Sequence, residues 1–443
     1  MHLAAGPVAP LAAHDLMVFL LQVGLLLGLA VALGRLFTRL GLSAVVGELF
    51  VGVLLGPSLL GHLAPGFAEW LLPHDPARFH LLDAFGQVGV VLMVGVTGLQ
   101  MDLGLVRRRG ATAVRVSVPG ILVPLGLGIG LAYLLPGSLL GSVSDRGTFA
   151  LFVGVAMGVS AIPVIAKTLI ELGLLHRNIG QLILCAVTVD DIVGWLLLSV
   201  VSAMATVGVS GGRVLHSIAN LVVVVVLALV LRRVVTAAGR RIAAGRRIAA
   251  GPSVPAVLVG ALVLAAAGTQ ALGLEAVFGA FLCGLALSGT PLADPERLAP
   301  VRTVVVSVLA PVFFATAGLR MDLTALGRPA VLAAGLAVLA VAIAGKFGGA
   351  YLGSRLSRMS HWEGLALGAG MNARGVIEVV VAMVGLKLGV LSQEMYTVVI
   401  LVAIVTSLMA PPLLRRFMAR IEETAEERLR EQALTPGSVA VHL

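Results

Sequence analysis

The sequence predicts an all-α polytopic membrane protein of about 13 transmembrane helices. Three observations predict it. The 443 residues are 59% hydrophobic and 12% charged, a balance no soluble domain of this size carries. Mean hydropathy is +1.06. Apolar runs of about 20 residues recur along the chain, the length needed to cross a bilayer as a helix. They are too long for barrel strands, and barrel-type alternation is absent.

The runs fall at about 16–38, 42–61, 80–102, 111–135, 147–174, 178–205, 215–238, 253–272, 274–290, 300–320, 330–354, 362–386 and 394–415. Placing the N-terminus outside puts Arg35, Arg39, Arg107 to Arg109, Arg177, Arg232, Arg233, Arg240, Arg241, Arg246, Arg247, Arg297, Arg302, Arg355 and Arg358 in inner loops. Outer loops then hold only Arg78, Arg146, Arg213, Arg320, Arg328 and Lys387. This positive-inside bias predicts an outer N-terminus, a cytoplasmic C-terminus and an odd number of spans. The net charge of +9 follows this topology and is no sign of nucleic-acid binding. The stretch Met1 to Asp15 has no Lys or Arg, so the first helix is expected to be retained rather than cleaved as a signal peptide. Cys185 and Cys283 both sit in apolar runs and read as small packing residues. The many Arg, Ala, Gly and Val residues, with few Lys, fit a GC-rich bacterial genome, hence a bacterial inner membrane. The expected organisation is a transmembrane domain over 1–415 and a short charged cytoplasmic tail over 416–443. Arg240 to Ala250 forms a basic linker between halves.

The halves resemble each other. Gly98-Leu99-Gln100-Met101-Asp102-Leu103 ends the third run, and Gly318-Leu319-Arg320-Met321-Asp322-Leu323 ends the tenth. Glu48 precedes Gly52 in the second run as Glu275 precedes Gly279 in the ninth. Each pair is seven runs apart. An odd offset inverts one half relative to the other, as in repeat-built transporters with a midplane site. The fifth run carries Gly158-Val159-Ser160-Ala161-Ile162-Pro163, and the twelfth carries Gly368 to Gly375 with Asn372 and Arg374. Gly and Pro weaken helices, so two discontinuous, crossing helices are expected. Two kinked but continuous helices are the alternative.

The most informative feature is Asp190-Asp191, within the apolar run Leu182 to Leu198. One acid at mid-membrane costs roughly 2.5–3.5 kcal/mol on insertion scales, and adjacent carboxylates oppose joint ionisation. The pair needs a positive partner, a cavity, or a cation that comes and goes, which points to ion or proton transport. Four basic residues lie inside runs: Arg115, Lys167, Lys346 and Arg374. Lys346 is too deep to reach water along its stem. Neighbouring helical residues point about 100° apart, so one aspartate can face Lys346 while the other faces a cavity. A permanent ion pair that only joins helices is the competing reading. Arg374 and Glu378 are four apart and share a helix face, as do Lys167 and Glu171. Charge compensation at the broken helices is the favoured reading of both, with cation ligation by Glu378 the sharper one. Arg115 has no assigned partner. The histidines, His176 and His361 among them, fall mainly in loops and read as solvated, with pH sensing as the alternative. Neither a metal-ligand cluster nor a nucleophile with a histidine base is evident, so no enzyme, metal or other cofactor is expected.

Four stretches carry a family resemblance: Gly47-Glu48 with Leu55 to Gly61, Val159 to Lys167, Val189 to Trp195, and Gly370 to Glu378. Together they resemble the monovalent cation/proton antiporter superfamily, in the branch of Kef-type proteins, plant cation/proton exchangers and NapA-type sodium/proton antiporters. The likeness spans about 16–415. It implies a core domain, helices about 111–205 and 330–415, and a dimerisation domain, helices about 16–102 and 253–320, with six helices in each repeat. It implies that Asp191 binds the cation or protons and that Asp190 pairs with Lys346. Ser160, Pro163, Lys167, Thr188, Asn372, Arg374 and Glu378 become the broken-helix and supporting residues. Related electroneutral exchangers carry Asn at the first position of the pair, so Asp190 implies electrogenic exchange. The Arg-Gly-Val-Ile-Glu pattern from Arg374 is nearer the plant exchangers, many of which handle potassium. The nucleotide-binding domain frequent in Kef-type proteins has no counterpart in the remaining residues.

The expectation is therefore an antiporter exchanging protons for a monovalent cation, sodium first and potassium second, as a homodimer in the lipid bilayer. A sodium-coupled solute symporter and a potassium efflux pathway are the alternatives.

Overall fold

The computed structural model describes residues 12–72, 76–101, 103–142, 145–207, 211–243, 254–290 and 295–434. His74, Asp102 of the repeated motif and residues 244–250 of the basic linker lie outside these. The first half of the chain forms α1 Ala13–Arg39, α2 Ala44–Leu55, α3 Leu60–Leu63, α4 Pro65–Leu71, α5 Pro76–Gln100, α6 Leu103–Leu134, α7 Arg146–Gly158, α8 Ile162–Glu171 and α9 Asn178–Val207. Then come α10 Gly211–Ala243, α11 Val254–Ala271, α12 Ala276–Leu287, α13 Pro295–Val304, α14 Ala310–Leu319, α15 Pro329–Leu356, α16 His361–Met371, α17 Val376–Lys387, α18 Gln393–Met418 and α19 Ala425–Leu434. A π-helical turn, Val305–Leu309, joins α13 to α14 into one span. Among the described residues there is no strand, only an isolated bridge between Leu140 and Leu391.

Among the described residues, ten helices are long and apolar enough to cross a membrane, and the bent pair α16–α17 makes eleven. The chain is thus a multi-pass, all-helical membrane protein. The count falls short of about 13 at two places. Run 147–174 is divided between α7 and α8. Run 274–290 holds only the 12 residues of α12, about 18 Å of helix against roughly 30 Å of hydrocarbon.

Local chemistry explains the boundaries that place the site. Asp145 caps α7, accepting from the Gly147 and Thr148 amides at 2.8 and 3.0 Å. Ser360 and Glu363 make a reciprocal capping box at the start of α16. Pro329 opens α15, where its missing N–H costs nothing. Beyond α8 the chain reverses at Gly173, whose φ of 66° favours glycine.

Two groups of helices share a large apolar core. In one, α5 packs along α12 and α14 along α2. Both contacts need glycine. A Cβ on Gly98 would stand 2.5 Å from the Phe281 carbonyl oxygen, and one on Gly318 would collide with the Leu49 carbonyl. In the other group α6 and α15 cross in contact along their lengths. The helices α7, α8, α9, α16, α17 and α18 gather around that pair. Phe149, Phe152, Phe278 and Phe281 are buried in the main apolar cluster. A second cluster, with Ile165, Ile183, Ala186 and Met371, surrounds the broken helices. By contrast α1 and α10 turn exposed Leu and Val side chains outward, as helices facing lipid do.

Candidate functional site: an aspartate pair between two helix breaks

The chain leaves helical geometry at Val159, and Ala161 is extended, before α8 starts at Ile162. Pro163 is the second residue of α8, where proline fits the first turn. Facing this break, α16 ends at Asn372 and α17 begins after Gly375, with a bend of 47° between them. The two breaks touch. The Ala161 N–H donates to the Ala373 carbonyl at 3.1 Å. Ser160 Oγ lies 2.7 Å from the Met371 carbonyl and 2.9 Å from Asp190 Oδ2. Unwound backbone at this depth is tolerated because it is enclosed by protein.

Against the crossing stands α9, with both aspartates buried. Lys346 Nζ, on α15, donates to Asp190 Oδ2 at 2.7 Å. It also donates to the carbonyls of Gly120 at 3.0 Å and Gly158 at 2.5 Å. An ammonium has three donors, so Lys346 is fully used. Asp190 Oδ1 accepts from Ser117 Oγ. Asp190 is thus held by an ammonium and two hydroxyls. Asp191 differs. Its carboxylate faces the Ile162 N–H at the start of α8, where a helix N-terminus favours negative charge. Its Oδ1 is buried and has no hydrogen-bond partner. Both amide atoms of Asn372, at the other break, are buried and unpartnered too. Each such group costs on the order of 1–3 kcal/mol, so polar atoms left open here call for an occupant.

Arg374 and Glu378 form a second buried pair at 3.1 Å. Arg374 also donates to the Ala156 and Met157 carbonyls at 2.5 and 2.7 Å. These are the last carbonyls of α7, where a cation is favoured by the helix dipole. Arg374 and Lys346 thus both donate to carbonyls at the C-terminal end of the broken half-helix α7. Glu378 Oε2 has no hydrogen-bond partner. Thr188 Oγ1 bonds back to the Leu184 carbonyl at 2.7 Å within its own helix. Lys167 lies elsewhere, with 41% of its side chain exposed, 3.6 Å from Glu171 and 3.4 Å from Thr38 Oγ1. Arg115 is exposed on α6. Sequence reasoning missed Ser117 and the Gly120 carbonyl. Their only signal was a lone hydroxyl two residues before Pro119 in an apolar run. It also missed a candidate metal-ligand cluster, His176, Glu423 and Glu431, because its members are scattered along the chain.

The sodium/hydrogen exchanger transmembrane family model matches residues 25–420. The Na+/H+ antiporter NhaS4 of Synechocystis is 32% identical over 406 residues, covering 90% of this chain and 97% of its own length. Cation/H+ antiporter 20 of Arabidopsis thaliana is 29% identical over 408 residues, covering 89% of this chain. This chain spans 47% of that plant protein, about half its length. The solved structure of the sodium proton antiporter MjNhaP1 from Methanocaldococcus jannaschii aligns with a TM-score of 0.64 at 17% identity, covering 92% of this chain and 98% of that one; this likeness shows the fold. The antiporter fold and a family match that runs through both helix breaks, α9 and Lys346 agree: the chain belongs to the sodium/hydrogen exchanger transmembrane family, a family of membrane transporters.

Proposed function

We propose that the protein exchanges protons for a monovalent cation at Asp191, with sodium the first candidate and potassium the second. The observation that carries this is the contrast between neighbours. Both oxygens of Asp190 have partners among Lys346, Ser117 and Ser160, while Asp191 Oδ1 and the Asn372 amide are buried and unpartnered. A dehydrated cation or a proton satisfies such atoms, and the two compete for one carboxylate. The names of the relatives support both ions: besides NhaS4, the yeast K+/H+ antiporter 1 and the Bacillus cereus Na+/H+-K+ antiporter GerN align over 90% of this chain.

Alternating access is assigned to movement of a core domain, about 111–205 and 330–415, against a dimerisation domain, about 16–102 and 253–320. The full count of 13 spans is reached when α7–α8, α12 and α16–α17 each span the membrane. The inverted repeat is supported by the exchanged packing of α5 on α12 and α14 on α2 through Gly98 and Gly318. The arginine distribution supports an outer N-terminus and a cytoplasmic tail, and the assembly is assigned as a homodimer in a bacterial inner membrane.

Exchange is assigned as electrogenic, two protons for one cation, because Asp190 and Asp191 together can carry two negative charges once the Asp190–Lys346 contact opens, and so take two protons against one cation. One net charge per cycle at 100 mV supplies about 2.3 kcal/mol, enough for a gradient of about 40-fold at roughly 1.4 kcal/mol per tenfold.

Sodium-coupled solute symport is the second reading. A cavity of about 680 Å³, lined in part by His62, Glu69, His80, Asp83 and Arg320, does not include the aspartate pair. Proton flux in everted vesicles, with sodium, potassium and lithium compared and no solute added, separates the readings. Cation-driven proton movement supports antiport; none with any of the three cations overturns it.

A further inference from the structure

The segment after α18 does not hang free of the transporter. Arg177, in the turn between α8 and α9, donates to the Ile421 and Glu422 carbonyls at 2.9 and 3.3 Å. Glu427 is only 3% exposed. It accepts from the Asn178 N–H, the first amide of α9, at 2.5 Å and lies 3.4 Å from Arg177. It also makes a reciprocal capping pair with Thr424 at the start of α19. Phe417, Met418 and Ile421 pack in the same apolar cluster as Leu172 and Leu174. The backbone on both sides of the contact is therefore fixed by bonds that involve no ion.

On this scaffold stand three further side chains. His176 Nε2 lies 2.8 Å from Glu423 Oε1, and ligand atoms of His176, Glu423 and Glu431 all lie within 4.8 Å of one another. We propose that His176, Glu423 and Glu431 form a divalent-metal site that fastens the C-terminal segment to the turn between α8 and α9.

The donor set fits one class of ion. A neutral imidazole and two carboxylates present two negative charges, which a divalent cation balances. Imidazole suits zinc and nickel and carboxylates also admit manganese, whereas magnesium and calcium prefer all-oxygen sites. Zinc takes nitrogen and oxygen at about 2.0–2.2 Å, so the ligands close on the ion by side-chain rotation. Glu431, on the exposed side of α19, has room to do so. Three protein ligands leave a fourth position to water. Because the tail, α8 and α9 pack in one cluster, the ion joins parts that move together. Its effect is to stabilise the cytoplasmic end and order the tail, whatever ion is transported at Asp191.

The test uses full-length, tag-free protein in detergent, stripped with chelator and then given zinc, manganese or magnesium. The expected result is one zinc or manganese ion per chain by calorimetry, a higher Tm, and slower tryptic cleavage after the exposed Arg428. Magnesium should do none of these. Loss of a supporting group outside a metal site already costs 10–100-fold in affinity, so His176→Ala and Glu431→Gln should each weaken binding by roughly 100-fold or more. Glu171→Gln, outside the cluster, should bind as the parent does. Should His176→Ala fail to fold, the exposed Glu431→Gln carries the comparison alone. Absence of zinc and manganese binding overturns the proposal, and so does equal binding by the parent and Glu431→Gln.

Discussion

Lys346 Nζ stands 2.7 Å from Asp190 Oδ2, with neither side chain exposed to any degree. That one contact divides the work of two adjacent carboxylates. Asp190 has the Lys346 ammonium against it, and Asp191, one residue on, has an open oxygen.

Asp191→Asn should abolish cation-driven proton flux while the protein remains folded and inserted. The amide keeps the size of the side chain and removes the charge that a cation or proton needs. Flux in everted vesicles and size-exclusion profiles in detergent check the two halves of the statement. Near-normal flux in this variant would sink the site assignment.

Asp190→Asn should destabilise the protein by about 3–5 kcal/mol, because it strands the buried Lys346 ammonium. Lys346→Gln alone should cost a similar amount by stranding Asp190. The double variant should be more stable than the sum of the two predicts. Melting of all four proteins measures the coupling; simple additivity would show that the pair is not energetically joined.

Arg374→Leu should also cost about 3–5 kcal/mol, since Glu378 would then be a lone buried carboxylate. It would strip the α7 carbonyls of Ala156 and Met157 of their donor as well. Adding Glu378→Gln should recover part of the loss of Tm. If Glu378 ligates the cation instead, Glu378→Gln alone will raise the apparent KM for sodium with little change in Tm.

Transport should respond to membrane potential. In liposomes with a valinomycin-set potassium potential and no pH gradient, inside-negative voltage should drive sodium out of the vesicles, and inside-positive voltage should drive sodium uptake. Flux that ignores voltage would leave Asp190 as a fixed charge neutralised by Lys346 throughout the cycle, with Asp191 carrying one proton or one cation.

Asp145, in the loop before α7, gives a pH dependence of known sign. The Thr148 hydroxyl, followed by the Thr148 and Gly147 amides, holds its carboxyl below the usual value. A depressed folded value means that the cap is worth most above the unfolded carboxylate range and is lost as pH falls through the lower folded value. Asp145→Ala should therefore cost about 1 kcal/mol at neutral pH, and the Tm difference from the parent should shrink and then vanish as pH falls below the ordinary carboxylate range. A difference that persists there would assign the effect to something other than the carboxylate cap.

The chain's own order of residues determined the membrane class, the apolar runs and the presence of intramembrane charge, because hydropathy and charge are properties of short segments. Asp190-Asp191 in an apolar run, and Lys346 in another, are costly enough in hydrocarbon to be noticed without any structure. Gly and Pro near Ser160 and Asn372 marked the breaks for the same reason, since both act on the local backbone. Only the tertiary structure decided which aspartate meets Lys346, because that depends on how α9 is rotated toward α15. It also decided that Ser117 reaches Asp190, that the carbonyls of Gly120 and Gly158 complete the lysine's surroundings, that Arg374 serves the end of α7, and that Lys167 stands apart near the surface. The apolar run 274–290 is longer than the 12-residue α12 it holds, because composition reports apolar residues and not where a helix stops. The meeting of His176 with Glu423 and Glu431 was illegible for the most basic reason. Contacts between residues some 250 positions apart are set by packing in three dimensions, which no local pattern encodes.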